Sequence, residues 1–251
     1  MNRRAFMGAW RKEWKMMKHS FAFILFIAML LVIGMFGVTT ELESGFTSLG
    51  VGVFMFPAYF LLSLNTEALQ MQQFLHMNKS LHNVILAKFL NGLLLTVSYA
   101  FVMGIILFII NQINGQIPAA EFVINLILLV TNILLLTVFP TMIIFLVWSL
   151  YHVVRKFHTA IGIIAIILFL YVFNEGFRAF DDTALYDALT NWGTVTWETG
   201  FPVVDFGTYS AFPLTSSGDI QFQSGTILFY AFLCLIFYLI SMYLLERKVE
   251  V

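Results

Sequence analysis

The chain has 251 residues, of which 60% are hydrophobic and only 11% are charged, and its formal net charge is −1. Soluble domains typically contain about 45–50% apolar and about 25% charged residues. This composition therefore excludes an ordinary soluble domain and indicates that lipid forms part of the solvent. The single cysteine, Cys234, has no partner for a disulfide and by itself makes no zinc site.

Residues 3–18, RRAFMGAWRKEWKMMK, predict an amphipathic helix lying in the membrane interface. At helical spacing, one face carries the apolar residues Phe6, Trp10, Trp14 and Met17. The opposite face is basic and includes Arg11 and Lys15. Two roles fit this helix equally well, an anchor that only orients the first span or a part in gating. We expect no cleavable signal peptide, because no small-residue cleavage site follows the first apolar run.

Six apolar runs are long enough to cross the ~30 Å hydrocarbon core as helices. We predict an all-α membrane protein with residues 1–20 as the interfacial helix and residues 21–251 as one transmembrane domain. The spans are placed at about 21–38, 47–64, 87–110, 121–150, 159–174 and 225–245. In the fourth span, Asn125 and Asn132 are seven residues apart and lie on nearly the same face. Their polar stripe either lines a transport pathway or packs one helix against another.

The positive charges predict the orientation of these spans. Twelve of the thirteen Lys and Arg residues fall before the first span, in or at the edge of the alternate connections on the same side, or after the last span, and only Arg178 falls on the other side. Short loops that carry Lys and Arg resist translocation. Both termini are therefore expected in the cytoplasm.

The cytoplasmic connection at residues 65–86 is polar but nearly uncharged. Asn65 or Thr66 is placed to cap a short helix, and Glu67 lies in its first turn, where the helix dipole favours an acid. Apolar side chains within the same stretch favour docking to another protein over a solvated loop. The candidate contact residues are Glu67, Gln70, Gln73, Phe74, His76, Asn78 and Lys79.

Residues 175–224 form a long, aromatic-rich segment on the external side. The stretch TALYDALTNW, residues 183–192, predicts a short helix with Gly193 just past its end. Backbone at membrane depth must be helical or buried in protein, so we expect short helices that re-enter the outer leaflet or lie on it. The candidate gate residues are Glu175, Arg178, Trp192 and Trp197, and the i,i+3 spacing of the first two allows an ion pair.

The chain contains no GxxxxGK[ST] phosphate loop, no HExxH and no GxSxG motif. We therefore expect no catalytic residues, no metal site and no ATP hydrolysis by the chain alone. The spans also lack the ionisable groups near the midplane that proton- and ion-coupled transporters need. Energy must then come from a partner, and residues 65–86 are where a partner would act.

These features resemble the permease subunits of type-two ABC exporters, a bacterial family. The resemblance covers the whole length, from the interfacial helix through six spans to the long external segment before the last span. The cytoplasmic connection follows the family's order, with Glu67, the QMQQFLHM helix, a break at residues 78–80 and Lys88 at the start of span three. The Gly-Thr pair and the Pro that many members have in this connection are missing.

The resemblance implies a bacterial cell-membrane complex of two permeases, identical or different, with two cytoplasmic ATPase subunits that bind ATP and Mg²⁺. Residues 65–81 would then be the coupling helix, and the interfacial helix would contact the same partner. The implied cargo is an amphipathic or hydrophobic molecule, such as an antimicrobial or toxin peptide. Two alternatives remain open: a non-transporting receptor or immunity protein, and a membrane enzyme that uses Asp181, Asp182 or Asp205 in the external segment.

Overall fold

The computed structural model describes residues 3–20, 23–24, 27–28, 32, 48–68, 81–115, 117–155, 158–198 and 219–247. Most of the predicted first span, residues 21–38, lies outside this part of the chain. The same is true of residues 69–80, which hold most of the predicted coupling helix, and of residues 199–218.

Helices make up almost all of the described chain. The first is α1 (Arg3–Lys18), and a 3₁₀ turn at Val51–Phe54 leads directly into α2 (Met55–Ala68). The elements that follow are α3 (Leu81–Asn114), α4 (Ala119–Val154), α5 (Thr159–Asp181), α6 (Ala184–Thr190), β1 (Thr194–Glu198), β2 (Asp219–Gln223) and α7 (Ser224–Arg247).

Five helical segments in the described chain are long and apolar enough to cross a membrane. They are Ser48–Ala68, Leu81–Asn114, Ala119–Val154, Thr159–Asp181 and Ser224–Glu246. Each coincides with one of the predicted spans from the second to the sixth, and most extend beyond the predicted limits. The chain therefore has the helices of a multi-pass membrane protein, and α4 passes through Pro140 without ending.

Aromatic side chains pack α2 against α3 and α4. The ring of Phe60 meets the rings of Phe89 and Phe145 edge-on, with centroids 4.7 and 5.6 Å apart. Phe56 contacts Phe89 in the same way at 5.1 Å. Gly92 of α3 faces this layer, and the absence of a side chain there lets the two helices approach closely.

A second aromatic group packs α4, α5, α6 and α7 together at the opposite end of the bundle. Phe139 of α4 contacts Tyr230 of α7 at 4.8 Å between centroids, and Tyr186 of α6 contacts Phe180 and Phe229 at 5.6 Å. The predicted external aromatic residues in this group are therefore packed against the ends of the long helices. Burial raises the pKa of the Tyr186 hydroxyl.

The described part of the external segment contains the end of α5, one further helix and two strands. The short helix predicted at residues 183–192 is present as α6, where the Thr183 side chain accepts a hydrogen bond from the Tyr186 N–H at 3.3 Å. Gly193 follows the helix with φ +66°, as its predicted position requires. β1 then pairs antiparallel with β2, so backbone groups that were expected in further short helices are satisfied by a strand ladder instead.

We predict that Gly92→Ala will destabilise the protein. A Cβ at this position would lie 2.7 Å from Cε2 of Phe56 and 3.1 Å from Cδ1 of Tyr59, and neither ring has free space. The expected loss in the free energy of unfolding is about 1–3 kcal/mol, measured by SDS titration with circular dichroism. Gly176→Ala in α5 is the matched control, because no heavy atom lies within 4 Å of an added Cβ there. Equal stability of the two variants would contradict close packing at Gly92.

Candidate functional site: a buried charge cluster

The helix α1 packs against the end of α2 and the beginning of α3. Its buried face carries Glu13 and Met17, both fully shielded from solvent. Trp14, which was predicted on the apolar face, is instead 45% exposed. The predicted helix over residues 3–18 is present, and Met17 and Trp10 of its predicted apolar face contact the bundle. Trp14 is the member of that face that remains exposed, while Glu13 is buried beside it next to Lys88.

Lys88 is the centre of the cluster. It lies in the second turn of α3 and is completely buried. Its Nζ donates to Oε1 of Glu13 at 2.8 Å, to Oγ of Ser63 at 2.8 Å and to the carbonyl oxygen of Ser63 at 3.2 Å. An ammonium group has three N–H donors, so the hydrogen bonds of Lys88 are all satisfied.

The carboxylate of Glu13 is held from two sides. One oxygen accepts from Lys88, and the other accepts from Oγ of Ser63 at 2.9 Å. Ser63 therefore bridges the two charges and contributes a residue of α2 to a contact between α1 and α3. A buried ion pair is tolerated only when further hydrogen bonds satisfy its remaining polar atoms, and Ser63 supplies them.

A second acid lies beside this pair. Oε1 of Glu67, near the end of α2, is 3.7 Å from Nζ of Lys88 and 3.7 Å from Nζ of Lys12. The Glu67 side chain is 5% exposed, whereas that of Lys12 is 52% exposed. The cluster thus combines two acids and two bases, with Lys12 connecting it to solvent.

Burial raises the pKa of the Glu13 carboxyl above its ordinary value of 4.5. The positive charge of Lys88 acts in the opposite direction, and the neighbouring charge of Glu67 raises the pKa further. Two acids lie beside one fully buried base, so protonating the Glu13 carboxylate requires less free energy here than protonating an isolated carboxylate in water.

Two further polar contacts join helices near the charge cluster. Nε1 of Trp10 donates to Oδ1 of Asn91, which fixes α1 on α3 one turn beyond Lys88. Nε1 of Trp148 donates to Oδ1 of Asn65 at 3.2 Å and connects α4 to α2. The structure places Asn65 and Thr66 inside α2, so the predicted helix start at these residues is wrong. Their side chains bond within the bundle instead of capping a new helix.

Among the predicted coupling residues, Glu67 is described, and its side chain faces inward. Gln70, Gln73, Phe74, His76, Asn78 and Lys79 lie outside the described residues. Of the predicted interfacial residues, Trp10 contacts α3 through Asn91, and Arg11 and Lys15 are exposed. Among the described residues, the contact between Glu67 and Lys12 connects the predicted coupling residues with α1.

Asn125 and Asn132 are both buried inside α4, at 3% and 1% exposure. Within the described chain, Oδ1 of Asn125 and both polar atoms of the Asn132 side chain have no hydrogen-bond partner. They lie among the apolar side chains of the main core, which include Leu129 and Ile133. The common face predicted from their spacing is therefore an interior face.

The predicted gate residues are at the far end of the bundle from the charge cluster. Glu175 and Arg178 are exposed on α5, and no ion pair joins them in the structure as described. Nε1 of Trp192 donates to the carbonyl oxygen of Leu189 at 3.0 Å, and the Trp192 ring is 47% exposed. Trp197 lies in β1 opposite Ile220 of β2. Among the described side chains at this end, no hydrogen bond or ion pair joins Glu175, Arg178 and Trp192.

The sequence reasoning missed Glu13, Ser63 and the burial of Lys88. A usable signal was present, since Glu13 is three residues from Trp10 and four from Met17 and so shares their helical face. A buried carboxylate is stable only beside a positive charge, so an acid on the apolar face of a helix predicts a buried base nearby. Nothing in the sequence identifies Lys88 as that base. Among the described residues, no group of three His, Cys, Asp or Glu side chains is placed to hold a metal ion.

The chain matches no family model, and comparison with curated proteins and with solved structures found no match.

A double-mutant cycle on Glu13 and Lys88 is expected to show strong coupling. Lys88→Met and Glu13→Leu each leave a buried polar group without its partner, so each should lower the free energy of unfolding by about 3 kcal/mol. The double variant should lose less than the sum, because apolar side chains replace both charges. Lys12→Gln, at an exposed position, should cost less than about 1 kcal/mol. Additive losses would show that the pair contributes no interaction of its own.

The stability conferred by Glu13 is expected to depend on pH. Between pH 4.5 and its raised pKa, this carboxyl holds more proton in the folded than in the unfolded chain. Its contribution to the free energy of unfolding is therefore present at low pH and is lost as the pH rises through the folded-state pKa. Glu13→Gln cannot titrate, so the stability of the wild type relative to this variant should fall with rising pH. Parallel pH profiles of the two proteins would contradict this.

Proposed function

We propose that the chain is the transmembrane permease subunit of an ATP-driven ABC exporter in a bacterial cell membrane. In this proposal, a separate cytoplasmic ATPase binds ATP and Mg²⁺, and the permease moves an amphipathic or hydrophobic cargo outward, such as an antimicrobial or toxin peptide. The observation that carries the proposal is the buried cluster that joins α1, α2 and α3 at the ends that flank residues 69–80.

The cluster would act as a mechanical connection. Glu67 is the penultimate residue of α2, immediately before the segment that resembles a coupling helix, and Lys88 lies soon after that segment. Lys88 contacts Glu13 of α1 and Ser63 of α2, and Glu67 contacts Lys88 and Lys12. These contacts hold α1, α2 and α3 together as one rigid unit. Force applied to residues 69–80 by a partner would then move three helices together instead of bending one loop.

The arrangement of charges supports a cytoplasmic location for this end. Arg155 follows α4, and the cations of α1 lie at the same end of the bundle as the start of α3. The end of α7 joins them, since the Tyr238 hydroxyl is 2.8 Å from Nδ1 of His82. Positive charges in short connections favour the cytoplasmic side. We therefore propose that both termini are cytoplasmic, that six spans cross the membrane, and that α6 and the strand pair lie outside.

A second permease copy, identical or different, completes the proposed unit. The helix α5 has the largest free surface among the five candidate spans: only 6% of its most apolar stretch is buried, against 28–61% for the others. An apolar helix that contacts little of the described part of the chain suits a contact with a second permease. The exposed Glu175 and Arg178 at its end would then stand at the outer mouth between the copies, as proposed gate residues.

The proposal predicts that an ATPase subunit co-purifies with the full chain from its native membrane and that its hydrolysis depends on residues 65–79. After reconstitution in vesicles, Glu67→Gln and Phe74→Ala should each uncouple ATP hydrolysis from peptide export, with at least a tenfold fall in cargo moved per ATP. The Phe74 side chain has no charge or hydrogen-bonding group to contribute to the charge cluster, so its variant separates loss of coupling from loss of the cluster. Hydrolysis is measured by phosphate release and export by protease protection.

Matched controls are Glu121→Gln, an exposed acid at the opposite end of the bundle, and Phe101→Ala, an exposed aromatic residue that is 68% accessible. Both should retain wild-type coupling. Normal export by the Phe74 variant would refute the coupling role. Unchanged peptide tolerance in cells with an inactive ATPase would favour a receptor or immunity protein, and catalytic activity of the isolated chain would favour an enzyme.

A further inference from the structure

A cavity of 490 Å³ lies between α1 and α3, beside the charge cluster. One wall is formed by the exposed face of α1 and the other by residues 91–98 of α3. This volume is in the range of ligand-binding pockets in proteins. The exposed side chains of Trp14 and Leu94, at 45% and 44% accessibility, show that the cavity is open to the surroundings of the bundle.

The α1 wall is positively charged. Arg11, Lys15 and Lys18 line it, and no acidic side chain does so among the described residues. The acid on this helix, Glu13, points away into the buried cluster and is already held by Lys88 and Ser63. Three cations are thus available for an anionic ligand without competition from the acid nearest in sequence.

The α3 wall is apolar. Leu94 and Leu95 line it, and the side chains of Trp10 and Trp14 also border the cavity. Indole rings are characteristic of the depth at which headgroups meet acyl chains. A helix of 34 residues is about 51 Å long and exceeds the ~30 Å hydrocarbon core, so part of α3 projects beyond it. With cations on one wall and leucines on the other, the cavity offers the two environments that meet where headgroups border hydrocarbon.

A buried polar group lies between the two walls. Asn91 is 1% exposed; its Oδ1 accepts from Trp10, while its Nδ2 has no partner that meets hydrogen-bond geometry. Asn91 lines the cavity, and a buried amide donor without a well-placed acceptor is suited to an ester or phosphate oxygen of a ligand.

We propose that this cavity binds one anionic glycerophospholipid, with its phosphate at Arg11, Lys15 and Lys18 and an acyl chain along Leu94 and Leu95. The cations select for net negative charge, and the apolar wall selects for a ligand that has an acyl chain. Because α1 is fastened to α2 and α3, the lipid would occupy a preformed site and not a loose basic surface. This inference requires only membrane insertion and does not depend on the proposed exporter function.

A second cavity gives an internal comparison. A groove of 600 Å³ between α3, α4 and α7 is lined almost entirely by apolar side chains, among them Leu90, Leu93 and Cys234. It has no Lys or Arg in its lining among the described residues. A lipid tail in that groove would be accepted without regard to headgroup charge, so selectivity should belong to the first cavity alone.

The test is native mass spectrometry of the full chain in detergent, titrated with phosphatidylglycerol or with phosphatidylcholine of the same acyl chains. We expect one phosphatidylglycerol to bind at least tenfold more tightly than phosphatidylcholine. Lys15→Gln should weaken this binding about fivefold, since each Lys or Arg near an anionic lipid contributes about that factor. Neutralising Arg11, Lys15 and Lys18 together should weaken it about a hundredfold, while Arg155→Gln, outside the cavity, should change it less than twofold.

A blocking variant distinguishes a site from general attraction to negative charge. Leu94→Trp fills the apolar part of the cavity and leaves every cation in place, so selective binding should fall at least tenfold. Leu90→Trp, which fills the other groove, is the matched control and should retain selectivity. The thermal unfolding midpoint of each variant in detergent verifies that it is folded.

Four results would overturn the proposal. Equal affinity for the two lipids would remove charge selectivity, and wild-type selectivity of Leu94→Trp would reduce the effect to surface electrostatics. Displacement of phosphatidylglycerol by millimolar inorganic phosphate would show that the cavity recognises a soluble anion. A protein dimer that is lost in Leu94→Trp and unaffected by lipid would assign this surface to a second copy of the chain.

Discussion

A lysine that is completely removed from solvent must find all its hydrogen-bond partners and its counter-charge inside the protein, and this requirement at Lys88 organises the described bundle. Glu13 of α1 and Ser63 of α2 meet that requirement together, with Glu67 close by. No two of these helices can satisfy the ammonium group without the third. The desolvation cost of a lone buried charge therefore makes the position of α1 on α2 and α3 a condition of folding.

Because of this constraint, one face of α1 is buried against the bundle and another borders the cavity. The buried face places Glu13 against the bundle, while Arg11, Lys15 and Lys18 remain on the face that borders the cavity. A basic helix held only by lipid would move with the interface. Here, ionic and hydrogen-bond contacts with α2 and α3 hold its cations at a definite place beside apolar residues of α3. Both the proposed coupling to a cytoplasmic partner and the proposed lipid site depend on this rigid attachment.

Aromatic rings pack the helices at both ends of the bundle, and the two ends differ in their charges. At the α1 end, ion pairs join the helices beside the aromatic layer of Phe60 and Phe89, whereas at the described α6 end the rings of Phe139, Tyr186 and Tyr230 pack without an ion pair. Aromatic pairs remain favourable over centroid distances of ~4.5–7 Å and so tolerate small shifts between helices. If the molecule changes shape during transport, as we propose, the α6 end is better suited to adjust while the charged end transmits motion.

Composition and periodicity alone determined that the chain has membrane-spanning helices, because an apolar run of about 20 residues has no other stable state in lipid. Local chemistry also determined the short helix α6, since Thr183 and Gly193 act on backbone groups only a few residues away. The β1–β2 pairing and the partnership of Glu13 with Lys88 were decided only in the tertiary structure. Residues 75 positions apart meet there, and no local pattern states which buried base an acid will find.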